Sequence, residues 1–328
     1  MLVTVEAAGC PNSCRHCGAE GGPPFGALYG LDELRRLAGE WGPLCVYHEP
    51  TAHPGFPQVL APSISVQASV LSTNGYGLAR RPDWRDALSQ LRDWGYEGVS
   101  CTLHGLEQRH DWFARRPGAF RDITTVSRQA LEAGMWLHWN VYLDALNLPE
   151  IAPLVELCRS EYGCSPVLSI PHHRVNARLW HYEELRPSLD AVAARVPEAL
   201  LAASFDPPLT ELTEAAWATA WARAGDLRDF RHPMEPESWP PEEGDAVSLV
   251  ATASREMELE TCCGPRMPLG PLADGKAAIL ARLRVLPGPH PGEDATLEDL
   301  RHEDGQLLHT SGFSVRYKAM SLRSRRAR

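Results

Sequence analysis

Residues 84–105 read WRDALSQLRDWGYEGVSCTLHG, and the change of texture inside this stretch decides the fold class. Trp84 to Trp94 reads as an amphipathic helix, and Gly98–Leu103 as a short apolar strand. Upstream, strands are expected at Leu2–Val5, Leu44–Tyr47 and Ile64–Leu71. The last is β-branched and bounded by Pro62 and by Asn74-Gly75. A helix at Leu31–Trp41 carries apolar residues at 31, 34, 37, 38 and 41. Downstream come a helix near Ala119–Ala133 that closes on Gly134, a strand at Trp136–Leu143, a helix at Ile151–Cys158 and a strand at Val167–Ile170. Strands separated by helices of this length imply βαβ units, a parallel sheet and an α/β fold.

The chain has 328 residues, 44% apolar and 23% charged, enough for a sizeable core and incompatible with wholesale disorder. Lys plus Arg (32) minus Asp plus Glu (42) gives −10. That balance argues against a protein that coats nucleic acid or an anionic membrane. No apolar run reaches the ~18–20 residues that span a bilayer. MLVTVEAAGC has no basic segment followed by an apolar one, so a cytoplasmic protein is expected. Nine cysteines, an odd number, do not read as a disulfide framework.

In a parallel sheet, functional groups gather at the carboxyl ends of the strands. Cys10 follows the first strand, His48-Glu49-Pro50 the second, Thr73-Asn74-Gly75 the third and His104-Gly105 the fourth. Cys10-Pro-Asn-Ser-Cys14-Arg-His-Cys17 is a C-x3-C-x2-C triplet whose thiolates can converge on one metal centre. A 4Fe–4S cluster held by three cysteines leaves one iron open to a small molecule. A zinc loop with His16 or a distant cysteine as fourth ligand also fits the triplet alone.

Taken together, these features resemble the radical S-adenosylmethionine (SAM) enzymes. The triplet follows the first strand of a βα repeat, Tyr47-His48-Glu49-Pro50 stands where that family often has Gly-Gly-Glu-Pro, and Thr73-Asn74-Gly75 ends the third strand as in many members. The resemblance covers about residues 1–170. It implies a partial (β/α)6 TIM-like barrel over residues 1–180 and a small C-terminal α+β cap over 181–328; the tail from Arg316, with six basic residues among the last thirteen, is expected to fray. It also implies Cys10, Cys14 and Cys17 as cluster ligands. SAM contacts are implied at His16, Tyr47, His48, Glu49, Thr73 and Asn74. Tyr47-His48 departs from the family pattern, which makes Glu49 the firmer SAM contact of the three. On the residues alone, Glu49 also reads as a helix-capping acid and Thr73-Asn74-Gly75 as a turn that favours left-handed backbone.

Alternation sends Ser100, Thr102 and His104 to one face of the fourth strand, and His138, Asn140 and Tyr142 to one face of the fifth. Facing the barrel, Ser100 and Asn140 suit SAM and His104 suits substrate; hydroxyls satisfied inside a barrel fit equally well. His110-Asp111 and Arg115-Arg116 read as a loop. His172 and Arg174, after the sixth strand, are substrate-binding candidates. After residue 180, helical stretches are expected at Glu183–Arg195 and Thr210–Ala224, a surface loop at 233–244, and a hairpin from Val247–Ala251 and Glu256–Glu260.

Cys262-Cys263, followed by Pro268-Leu269-Gly270-Pro271-Leu272, resembles a degenerate SPASM or twitch extension. Hydrogen-atom donation to a substrate radical, ligation of an auxiliary cluster, and buried structural thiols are the three readings of this pair. The first strand begins at Leu2, so no fused cobalamin or leader-peptide-binding module is expected. The expected function is hydrogen abstraction from a natural-product intermediate, small molecule or ribosomal peptide. Such chemistry implies an electron donor such as flavodoxin or ferredoxin, while the acidic balance and the lack of a long apolar run argue against a nucleic-acid or membrane partner. An RNA-modifying radical enzyme and a non-catalytic metal-binding protein on a decayed barrel are the rivals.

Overall fold

The structure, a computed structural model, describes residues 2–15, 28–66, 68–169, 185–205, 213–214, 217, 248–259 and 267–285. The first half alternates strand and helix: β1 (Leu2–Val5), α1 (Leu31–Trp41), β2 (Cys45–Val46), β3 (Val70–Ser72), α2 (Tyr76–Ala79), α3 (Trp84–Asp93) and β4 (Gly98–Leu103). It continues through α4 (Glu107–Ala114), α5 (Ala119–Glu132), β5 (Trp136–Tyr142), α6 (Ile151–Tyr162) and β6 (Val167–Ser169). Strands β3, β4, β5 and β6 form one sheet in that order, every pair parallel. This is the α/β arrangement that the alternation implied.

A second sheet has the order β2, β1, β7 (Ser248–Ala251), β8 (Glu256–Leu259) and β9 (Met267–Pro271). The hairpin expected near residues 247–260 is present as β7 and β8. It does not stand apart, because β7 pairs in parallel with β1 along the whole of Leu2–Val5. The β7–β8 turn is tied to α1. Arg255, in left-handed backbone (φ 66), stacks on Tyr29 and holds Glu33 at 2.6 Å.

Among the described residues, backbone ladder pairing between the two sheets is limited to an isolated parallel bridge, Leu44 to Ser65. A continuous six-stranded barrel wall is therefore not what the described residues form. The expected strand at Ile64–Leu71 is broken in two, into the Ser65 bridge and β3. The Ser69 carbonyl accepts from the N–H groups of Glu97 and Gly98 and starts the ladder to β4. A second correction concerns His110, Asp111 and the loop expected there: they lie on helix α4, which buries His110, Phe113 and Ala114. The Asp111 carboxylate accepts from Gly118 N and Phe120 N and so joins α4 to the start of α5.

Alternation along β4 and β5 sorts the side chains as expected. Val99, Cys101, Leu103, Leu137, Trp139 and Val141 are buried on one face, against Ile123, Val126 and Ala130 of α5. The buried Trp139 indole is satisfied by Ser127 Oγ at 2.9 Å. Ser100 and His138, then Thr102 and Asn140, stand side by side on the other face. Helix α6 runs one turn past its expected end at Cys158 and stops at Gly163, whose φ of 62 reverses the chain. Of the expected helix at Glu183–Arg195, Leu189–Arg195 is described, capped by Ser188 Oγ on Ala191 N. The stretch Thr210–Ala224 and the 233–244 loop lie wholly or mostly outside the described residues. No described helix is long and apolar enough to cross a membrane.

The close approach of α2 to the turn after β2 has no slack. A methyl group on Gly77 would stand 1.9 Å from the Thr51 carbonyl oxygen. Gly118, by contrast, has left-handed backbone (φ 82) and open space around it. Gly77→Ala should therefore lower stability by about 1–3 kcal/mol through backbone overlap. Gly118→Ala should cost only about 1 kcal/mol of conformational strain. Urea denaturation of the two variants reads the difference, and equal losses would contradict the packing of α2.

Candidate functional site

After β1 the chain runs into the loop of Cys10 to Arg15, which is docked on the last turn of α4. Ser13 N–H donates to the Ala114 carbonyl and Arg15 N–H to that of Phe113, both at 3.1 Å. Arg116 donates from Nε to Asn12 Oδ1 at 2.6 Å and ion-pairs with Asp122 at 2.7 Å. Arg15 is stacked over Trp112 at 3.9 Å. Cys10 and Cys14 are both half-buried on this loop. His16 and Cys17 lie outside the described residues.

The centre of the site is the Glu49 carboxylate, at the end of the segment after β2 and only 2% exposed. Its Oε1 accepts from Thr51 N, Thr51 Oγ1 and Thr73 Oγ1, the last at 2.6 Å. Its Oε2 accepts from Asn74 N at 2.5 Å. Burial raises the Glu49 pKa, and these hydrogen bonds, led by those of the Thr51 and Thr73 hydroxyls, oppose the rise. The capping role is thus present: Glu49 opens the short 3₁₀ turn Pro50–Ala52. The turn reading of Thr73-Asn74-Gly75 is present too, with Gly75 left-handed (φ 83) and Tyr76 N–H on Asn74 Oδ1 at 3.0 Å. Both roles serve one assembly, because Asn74 Nδ2 donates to Cys10 Sγ at 3.2 Å. Three stretches far apart in sequence, at Cys10, Glu49 and Thr73-Asn74, are held in a continuous chain of hydrogen bonds.

His48, where the resembling family has glycine, adopts left-handed backbone (φ 68). Its ring lies 4.5 Å from that of Tyr47, and its Nε2 is 3.6 Å from Glu6 Oε1. Ser100 Oγ bonds His138 Nδ1 at 3.0 Å, while Asn140 Oδ1 accepts from Ser169 Oγ at 2.8 Å. His138 is half-buried as a residue, yet its ring Nε2 is buried without a hydrogen-bond partner. His104 is 2% exposed, its ring stacked on Phe113 with centroids 3.5 Å apart and its N–H donating to His110 Nδ1. Ser100, His138, Asn140 and Ser169 therefore line one polar sheet face, while His104 sits within an aromatic cluster. His172, Arg174, Cys262 and Cys263 lie outside the described residues.

Comparison with solved structures adds a likeness of fold. The fold is similar to Streptococcus suis SuiB bound to S-adenosylmethionine, at 12% identity and a TM-score of 0.44. The match covers 78% of this chain and 59% of that one, so the chain spans less than two thirds of its length. No family model matches the chain, and no curated protein matches it.

The donor set on the Cys10 loop fits a soft metal centre. Thiolates are its ligand type, and an amide N–H···S bond such as that from Asn74 is a recognised means of tuning a ligating sulfur. Among the described residues no three metal-ligating side chains converge, and the third cysteine of the motif is not among them. Glu49 fits an ammonium group as well. With three donors on Oε1 and one on Oε2, one lone-pair direction of Oε2 is left. Two members of the assembly escaped sequence reading. Thr51 sits two residues past Glu49, a spacing suited to a local hydroxyl–carboxylate bond. Glu6, which also accepts from Ala253 N, gave no signal beyond ending the first strand.

Two predictions follow from this geometry. His48→Gly and His48→Ala both remove the ring, but only glycine takes the left-handed backbone freely. The Gly variant should be the more stable by about 1 kcal/mol in chemical denaturation. Burial lowers the pKa of both His110 and His138 to about 4. Both lie below the unfolded value of 6.5, so protonation favours the unfolded chain. This destabilisation sets in as pH falls through 6.5 and levels off near 4. Imidazole NMR signals of both residues should stay in the neutral form at about pH 5.5; a midpoint near the ordinary histidine value of ~6.5 would contradict the burial.

Proposed function

We propose that this chain is a radical SAM enzyme acting on a natural-product intermediate, a small molecule or a ribosomal peptide. A single observation carries the reading: Asn74 bonds Cys10 Sγ through its side chain and Glu49 Oε2 through its backbone. The three stretches that resemble the family are thereby joined at the carboxyl ends of strands, where a parallel sheet places its chemistry. Cys10 and Cys14, with Cys17 of the same motif, would hold the 4Fe–4S cluster. Glu49 and the polypeptide beside it would hold the SAM ammonium. When bound, the cluster and SAM supply a 5′-deoxyadenosyl radical that abstracts hydrogen from substrate.

The protein's own part is positioning. Asn74 orients Cys10 and draws charge from its sulfur. The Glu49 carboxylate is fixed by Thr51 and Thr73 before any ligand arrives, which lowers the ordering needed on binding. Ser100, His138 and Asn140 offer hydrogen bonds along the sheet face, with His138 neutral near pH 7 because of its burial. A one-electron carrier such as flavodoxin or ferredoxin would supply the reducing electron. His172, Arg174 and either thiol of Cys262-Cys263 remain proposed contacts to the substrate.

The rival, a non-catalytic metal-binding protein, draws on the saturation of Glu49 Oε1 by protein donors. Anaerobic reconstitution with iron and sulfide, followed by SAM and a strong reductant, separates the two. We expect 5′-deoxyadenosine from the wild type and none from Cys14→Ala. Glu49→Gln should retain the cluster but bind SAM at least about tenfold more weakly, the loss of one charge-assisted contact. Cleavage that persists in Cys14→Ala, or a protein that takes only zinc and no SAM, would refute the proposal.

A further inference from the structure

Cys158 and Cys164 take no part in the site described above. Cys158 is fully buried in the last turn and a half of α6, and Cys164 follows the Gly163 reversal, half-buried. The reversal folds one residue back on the other: Cys164 N–H donates to the Cys158 carbonyl at 3.3 Å. Their sulfurs are 3.0 Å apart. The pair stands before β6, at the amino end of the parallel sheet. The Cys10 loop, Glu49 and Asn74 gather at the carboxyl end.

Buried thiols that merely fill space behave as small apolar groups and need no mutual alignment. Here a left-handed glycine and a backbone hydrogen bond hold two sulfurs face to face, one inside and one reaching the surface. We propose that Cys158 and Cys164 form a reversible dithiol–disulfide couple, oxidised by exchange with a low-molecular-weight disulfide of the glutathione class.

Exposure assigns the roles. The Cys164 thiolate attacks one sulfur of the external disulfide, and the first small thiolate leaves. Cys158 then gives up its proton and attacks Cys164 Sγ, and the second small thiolate leaves. Two protein thiols are oxidised by two electrons, one external disulfide is reduced to two thiols, and the two protons end on the departing thiolates. The shared S–H···S bond supports this order. It pushes the Cys158 pKa up, with burial adding to the rise, and the Cys164 pKa down. Once Cys164 is in the mixed disulfide it is no longer a thiolate accepting that S–H bond, so the largest cause of the Cys158 rise is removed while burial remains. Closure would fasten the end of α6 to the segment that enters β6.

The test uses the full chain, treated with oxidised glutathione, blocked with an alkylating agent and digested with trypsin. Arg159 lies between the two cysteines, so cleavage leaves them on separate peptides, 129–159 and 160–174. We expect these two peptides linked, lighter than their sum by two hydrogens, and released by dithiothreitol. Cys158→Ser should accumulate glutathione on Cys164. Cys164→Ser should modify Cys158 at least about tenfold more slowly, since the buried thiol must wait for local opening. Glutathione that persists on Cys164 of the wild type, absence of the linked peptides, or equal rates in the two variants would overturn the proposal. Each outcome is independent of whether the chain cleaves SAM.

Discussion

A buried carboxylate is the constraint on which the arrangement at the carboxyl end of the sheets depends. Glu49 is removed from water, and burial alone would drive it to the protonated form. Its setting is stable because donors from two other positions close on it, Thr51 one turn ahead and Thr73-Asn74 from the end of β3. Those donors can arrive only if β3 ends where it does and Gly75 turns the chain left-handed. They also require α2 to lie against the Pro50–Ala52 turn without a side chain at Gly77. One charged group thus sets the relative position of two strand ends, and through Asn74 it reaches the Cys10 loop.

The sheets divide the work differently. In β3–β6, the face packed on α5 is a continuous apolar layer around Trp139, and the opposite face carries Ser100, His138, Asn140 and Ser169. In the other sheet β1 is an interior strand, with β2 on one side and β7 on the other. The strand that leads into the cysteine loop is therefore hydrogen-bonded along both edges. A loop that follows a strand held on both sides, and that is itself docked on α4, presents Cys10 and Cys14 from a rigid support.

Much of this was legible in the sequence because it depends on local signals. The helix at Leu31–Trp41 shows its apolar stripe, and Gly98–Leu103 is bounded by glycine on one side and His104-Gly105 on the other. Helix α4 was not legible. Its buried residues, His110, Phe113 and Ala114, do share one face at i, i+3 and i+4, but a histidine and an alanine among them leave no apolar stripe to read, and no side chain caps its start. The Ile64–Leu71 run reads as one strand from its composition, but its two halves pair with different neighbours, Leu44 and β4. The β1–β7 pairing joins residues 246 positions apart (Leu2 with Ser248), and nothing local in either strand specifies a partner at that distance. At the site, the resemblance located Cys10, Glu49 and Asn74. It did not indicate that they touch, since hydrogen bonds between distant loops leave no periodic trace.

His48 shows why a departure in sequence need not be a departure in structure. A histidine in place of glycine after β2 suggests a bulkier and altered strand end. The backbone at His48 nevertheless takes the conformation that glycine would take, at φ 68. The Tyr47 N–H keeps its bond to the Val5 carbonyl, so the segment stays in register with β1 up to the residue before the kink. The left-handed step is what turns Glu49 inward to meet Thr73 and Asn74. Its conformational cost, of order 1 kcal/mol, is small beside the several kcal/mol at stake in leaving a buried carboxylate without donors. The path of the main chain, rather than the identity of the side chain at position 48, is therefore what the site requires. The histidine ring is accommodated beside Tyr47 and Glu6, away from the carboxylate it helps to place.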